Sequence, residues 1–217
     1  ETNRVNWGNA TVVADADWET TVHADTDGNI HLTATGADTA TKLDTNGHTM
    51  TFNHGLDGNG NLVKKGAGSV VFNKDVQANL DLQAGNVTLG SEVTLDSLTA
   101  TGVNVELTGN ASSVTALTVA EGASLTLTGE TAIGSVEVAE TGSLVYNGIM
   151  RGTLNLTGDI TFGTDARIDL TTLDVVADTE APTFRVFNGG GTWNYNDLSS
   201  KNVLFGDAYR GMAAEYH

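Results

Sequence analysis

The sequence predicts an all-β protein, most specifically a parallel β-helix (β-solenoid) with aromatic-rich caps and coils of about 19 residues. Three observations predict it. Across 217 residues there are 26 glycines but a single proline, Pro182, so turns are frequent and glycine makes them. Thr and Val recur throughout, and their branched Cβ atoms suit a pleated surface, whereas no apolar pattern of helical period lasts. Third, a unit repeats: "LDLQAGNVTLG" at 80, "LTATGVNVELTG" at 98, "LTVAEGASLTLTG" at 117, "VEVAETGSLVYNG" at 136, "LNLTGDITFG" at 154 and "LDVVADTEAPTFRVFNG" at 173.

Each unit is an alternating strand, a polar or Gly-bearing turn, and a second alternating strand. The unit starts, Leu80, Leu98, Leu117, Val136, Leu154 and Leu173, are almost evenly spaced. Neither strand pair can bury its apolar side alone, so stacking unit on unit in parallel is the natural solution. Residues at i and i+2 then line an axial core, and each coil lies about 4.8 Å from the next. Short strands at this spacing also fit a β-sandwich or jelly roll, which is the alternative. Recurrence of the whole unit, turn composition included, favours the solenoid.

Three regions follow along the chain. Residues 1–79 are rich in Asp, His and Gly and carry Trp7 and Trp18; residues 80–183 hold the repeats; residues 184–217 hold Trp193, Tyr195, Phe205, Tyr209 and Tyr216. A solenoid needs its open ends covered, and the aromatic segment 184–217 is expected to form the C-terminal cap.

Net charge is −17, from ten Lys plus Arg against 27 Asp plus Glu, which repels nucleic-acid phosphates and anionic lipid. With no cysteine there is no disulfide, thiolate metal site or thiol nucleophile. No apolar run approaches the ~20 residues that span a bilayer, so no direct membrane insertion is expected of this segment. The opening "ETNRVNW" shows no signal-peptide pattern and reads as a processed or trimmed start.

In "LDTNGHTMTFNHGLDGNGNLVKKGAGSVVFN" (43–73), Gly58, Gly60, Leu62, Lys64, Gly66, Gly68, Val70 and Phe72 alternate with other residues. This stretch resembles the autotransporter-associated β-strand repeat, also called the passenger-associated transport repeat, with Val70 and Phe72 in place of the usual leucines. The resemblance is close over 43–73 and loose over the later units. It departs where "NKDVQANLDLQAG" replaces the usual Asn-x-Tyr-x-Gly continuation. It implies a right-handed parallel β-helix on a bacterial surface or released from it, with this segment serving folding and secretion. No train of amphipathic strands of translocator type follows it.

Three groups of residues could carry chemistry. "ADTDGN" (24–29) and "LDTNGH" (43–48) are near copies, and the interval from Asp25 to Asp44 matches the repeat. One coil of separation would place the two carboxylates about 5 Å apart, where they share a proton, as an aspartic-type hydrolase requires. The simpler reading is a pair of Asx-Gly turns. Asp25, Asp27, Asp57 and Asn59 supply hard oxygen ligands in tight turns, which makes calcium the one cofactor the sequence admits; none is otherwise expected. His23, His31, His48 and His54 crowd the N-terminal region without the paired spacing of a zinc site, and read as solvated turn histidines. No Gly-x-Ser-x-Gly elbow surrounds Ser135 or Ser143, and the Gly58–Gly68 stretch lacks a phosphate-cradling Gly-Lys-Ser/Thr. Arg151 and Arg167 fall on different coils, unlike the clustered charges of β-helix polysaccharide enzymes.

The function expected is therefore a structural, adhesin-like surface module, secreted or held at the bacterial outer surface. The alternative is a secreted hydrolase acting on extracellular protein or glycoprotein through Asp25 and Asp44. Expected partners are an extracellular protein or glycan, not nucleic acid, with the chain itself monomeric.

Overall fold

The computed structural model describes residues 5–21, 28–34, 36, 39–139 and 141–147, and beyond these the strand segments 149–151, 160–162, 167–170, 174–176, 184–186, 188–189, 192–195 and 203–205. In chain order the strands are β1 (Val5–Trp7), β2 (Thr11–Val13), β3 (Trp18–Glu19), β4 (Ile30–Leu32), β5 (Thr41–Asp44), β6 (Thr49–Phe52), β7 (Leu56–Lys65), β8 (Ser69–Phe72), β9 (Val76–Leu82), β10 (Asn86–Ser91), β11 (Thr94–Ala100), β12 (Val105–Val119), β13 (Ser124–Val138) and β14 (Ser143–Asn147). Their pairings are parallel throughout, each strand lying against its equivalent one coil away, so the chain is a β-solenoid with three strand columns.

One column stacks β2, β5, the second half of β7, and β9, then continues through Leu98, Leu117 and Val136. A second stacks β3, β6, β8, β10 and the first halves of β12 and β13. The third begins with β1, β4 and the first half of β7. Coils run continuously across position 79, inside β9.

Alternation sets the inside. In β9, Val76, Ala78, Leu80 and Leu82 are buried while Gln77 and Asn79 face out. Leu80, Leu98, Leu117 and Val136 are direct register partners and make one rung of the core. From Leu56 to Asn147 the coil length is nearly constant: Val63 meets Asp81, Val87 meets Leu107, and Leu125 meets Leu144. The coils lengthen at both ends. Val13 pairs with Asp44 and Trp18 with Met50, strides more than half as long again as those of the middle coils. Past Val138 the stride grows once more, so Val136 meets Ile160 rather than Leu154.

The first coil rests on aromatic packing. Phe52 is fully buried and stacks on Phe72 at 5.3 Å between centroids, while Trp7 and Trp18 meet it edge-on at 6.0 and 5.4 Å. Trp7 and Trp18 stay half-buried, which is how an aromatic lid covers the end of an axial core.

Candidate functional site

Asp44 ends β5 and opens a corner. Its Oδ1 accepts a hydrogen bond from the Asn46 backbone N–H at 3.1 Å, and His48 N–H donates to Thr45 O at 2.7 Å. Asn46 and Gly47 both adopt left-handed backbone, at φ 46 and 87. This is an Asx turn, with the carboxylate engaged in shaping the backbone. In register Asp44 lies between Val13 and Lys65, so the repeat interval that would stack it on Asp25 is not the stride of this coil. The connections before β4 and β5 lengthen it. Asp25 itself lies outside the described residues.

Of the calcium candidates, Asp25 and Asp27 lie outside the described residues. Asp57 and Asn59 fall inside β7, at a bulge between Leu56 and Gly60. Gly58 at φ 95 and Asn59 at φ 53 turn the strand from one column into the next, so "DGNG" is a bend within a strand rather than a loop between strands. Asp57 Oδ1 meets His31 Nδ1 at 2.5 Å, and its Oδ2 accepts from Asn29 Nδ2 at 3.1 Å. Among the described residues, no group of three or more His, Asp and Glu side chains converges as a metal site would require.

The histidines are dispersed in separate pairs. His31 sits on Asp57; His48 Nδ1 lies 3.6 Å from Asp17 Oδ1; His54 Nδ1 lies 3.0 Å from Thr20 Oγ1. His23 and His217 lie outside the described residues. His54 also lines a polar cleft of about 500 Å³ with Asn29, Gly55, Lys74, Asp75 and Gln77, at the bend from β6 and β8 into β7 and β9. Part of this lining is already engaged: Asn29 bonds Asp57, and Asp75 Oδ1 accepts from Thr94 N–H at 2.8 Å.

Lys64, on the Gly-x-Leu-x-Lys pattern, is the residue whose position the motif alone does not explain. Strand parity turns it inward with Leu62, and it lies in register between Leu43 and Leu82, taking the place of an apolar rung. It is fully buried. Its Nζ reaches Thr45 Oγ1 at 3.1 Å, Lys65 O at 3.0 Å, Gly66 O at 2.7 Å and Ala84 O at 2.8 Å. Burial lowers its pKa to about 8, and the Asp44 carboxylate partly opposes that. The parity of "LVKKG" was the available signal, since an inward lysine on an alternating strand must find acceptors.

Comparison with family models, with curated proteins and with solved structures finds no match. The chemistry of the site therefore rests on this chain's own residues.

Proposed function

We propose that this chain is an exported bacterial surface module, a stiff passenger-type solenoid with a scaffold or adhesin-like role. The observation that carries the reading is the unbroken parallel stack, whose outward polar residues bond one another from coil to coil. Asn79 Nδ2 donates to Asn61 Oδ1 at 3.1 Å and Ser97 Oγ to Asn79 Oδ1 at 2.7 Å; Thr128 Oγ1 donates to Glu106 Oε1 at 3.0 Å. Such ladders make a rod that presents a long polar surface to a protein or glycan partner. The secretion-repeat pattern at 58–72 agrees with it. Among the described residues no helix is long and apolar enough to cross a membrane.

The test is display. The chain is fused ahead of a passenger translocator barrel and scored by protease accessibility on intact cells, then by adhesion of those cells to immobilised glycoproteins. Surface exposure with gain of adhesion supports the proposal. Retention inside the cell overturns it, and hydrolysis of the glycoprotein that Asp25→Ala with Asp44→Ala abolishes replaces it with the hydrolase reading.

A further inference from the structure

The four oxygens around Lys64 Nζ come from corners on three successive coils. Thr45 belongs to the corner after β5, Lys65 and Gly66 to the corner after β7, and Ala84 to the corner after β9. None is a carboxylate oxygen. An ammonium has three N–H donors and no acceptor, so a shell of hydroxyl and carbonyl oxygens at 2.7–3.1 Å is the environment that satisfies it inside a protein. Space is held open by Gly85, where an added Cβ would come within 2.9 Å of Nζ. Thr45 Oγ1 is itself fixed by donating to Lys65 O at 3.0 Å, which leaves its lone pairs for Lys64.

We infer that this oxygen-lined corner is a built binding site for a primary ammonium group, filled by the chain's own Lys64, and that it fastens three successive coils into one folding unit. Thr45 and Ala84 sit on either side of Lys64, each one coil away from it along the chain. A chain that winds up coil by coil leaves Lys64 with only Lys65 O and Gly66 O until a neighbouring corner supplies its third acceptor, and the four-oxygen shell closes only when both neighbours are in place. Completion of the shell then couples the ordering of 41–45, 62–66 and 80–85 in a single step. The inference stands on this geometry and does not depend on the export reading.

Two variants of the full chain separate the ammonium from its stem. Lys64→Met keeps a long apolar stem between Leu43 and Leu82 but has no donor; Lys64→Ala vacates the shell. Both are expected to lower the urea midpoint, by about 1 M. Amide exchange is expected to accelerate at least tenfold together at 44–46 and 83–86. Methylammonium chloride is expected to raise the Lys64→Ala midpoint beyond the effect of equimolar tetramethylammonium chloride, which cannot donate. Lys64→Met, its shell blocked, gains nothing from it. If Lys64→Ala does not fold, the same titration is read as recovery of the far-UV spectrum. A Lys64→Met midpoint equal to wild type overturns the inference, as does a Lys64→Ala response no greater with methylammonium than with tetramethylammonium.

Discussion

Phe52 joins the first coils to the rest of the solenoid, and its removal has a magnitude that can be worked out. It is fully buried, faces Phe72 at 5.3 Å and receives the edges of Trp7 and Trp18 at 6.0 and 5.4 Å. Phe52→Ala is expected to cost about 3–5 kcal/mol, the usual range for a buried Phe truncated to Ala. Within that, each edge-on ring pair contributes about 0.5–1.5 kcal/mol beyond area burial. A double-mutant cycle on Trp18→Leu and Phe52→Leu, by urea unfolding with far-UV circular dichroism, is expected to return a coupling in that range. Tryptophan emission is expected to shift to the red in Phe52→Ala, because half-buried Trp7 and Trp18 lose the surface they rest on. A Phe52→Ala cost under about 1 kcal/mol, or a coupling indistinguishable from zero within the ~0.3 kcal/mol expected of independent sites, would refute the lid role.

Stability should rise with pH through the Lys64 titration. Its pKa is about 8 in the fold against 10.5 unperturbed, so between those values the unfolded chain binds more protons and folding gains as pH climbs. The span is worth about 3 kcal/mol, read as the difference in urea stability between wild type and Lys64→Met from pH 7 to 10.5. Asp44→Ala is expected to cost about 1 kcal/mol through its turn bond to Asn46, and to move the Lys64 transition to lower pH by removing the charge that raises it. Gly47→Ala and Gly85→Ala share a left-handed backbone, at φ 87 and 70, but Gly47 has open space while a Cβ at Gly85 would overlap the Gly68 carbonyl oxygen. Thermal melts should show a loss of about 1–2 kcal/mol for Gly47→Ala, and a clearly larger loss or failure to fold for Gly85→Ala.

The repeats were legible because the inner positions obey a period of two, and the unit starts Leu80, Leu98, Leu117 and Val136 are register partners. Legibility ends where the coil length changes. The connections from β3 to β4 and from β4 to β5 enlarge the early coils, so a constant spacing applied to Asp44 points to Asp25 when the register position belongs to Val13. Past Val138 the same error places Leu154 where Ile160 pairs. The glycine pattern at 58–72 was visible, but the task of its lysine was not. Its acceptors come from Thr45 and Ala84, whose proximity exists only once three coils have stacked.

The imperfection of the repeat has a physical reason in the net charge of −17. Parallel in-register stacking sets each side chain about 4.8 Å from its equivalent on the next coil. A strictly repeated sequence would set every outward carboxylate on its own copy, at a cost of about 1 kcal/mol per pair even in water. The chain avoids this rung by rung. Asp81 lies between Val63 and Thr99, Glu106 between Asn86 and Thr126, and Glu137 between Thr118 and Thr161. Asp57 is set against His31, and Asp44 between Val13 and Lys65. Among the described register pairs, no carboxylate faces another. An acidic solenoid can therefore keep its inner ladder regular only by letting its outer positions diverge from coil to coil. Those outer positions are where hydrogen-bonding Asn, Ser and Thr take turns with the acids, and they make the surface that a partner would meet.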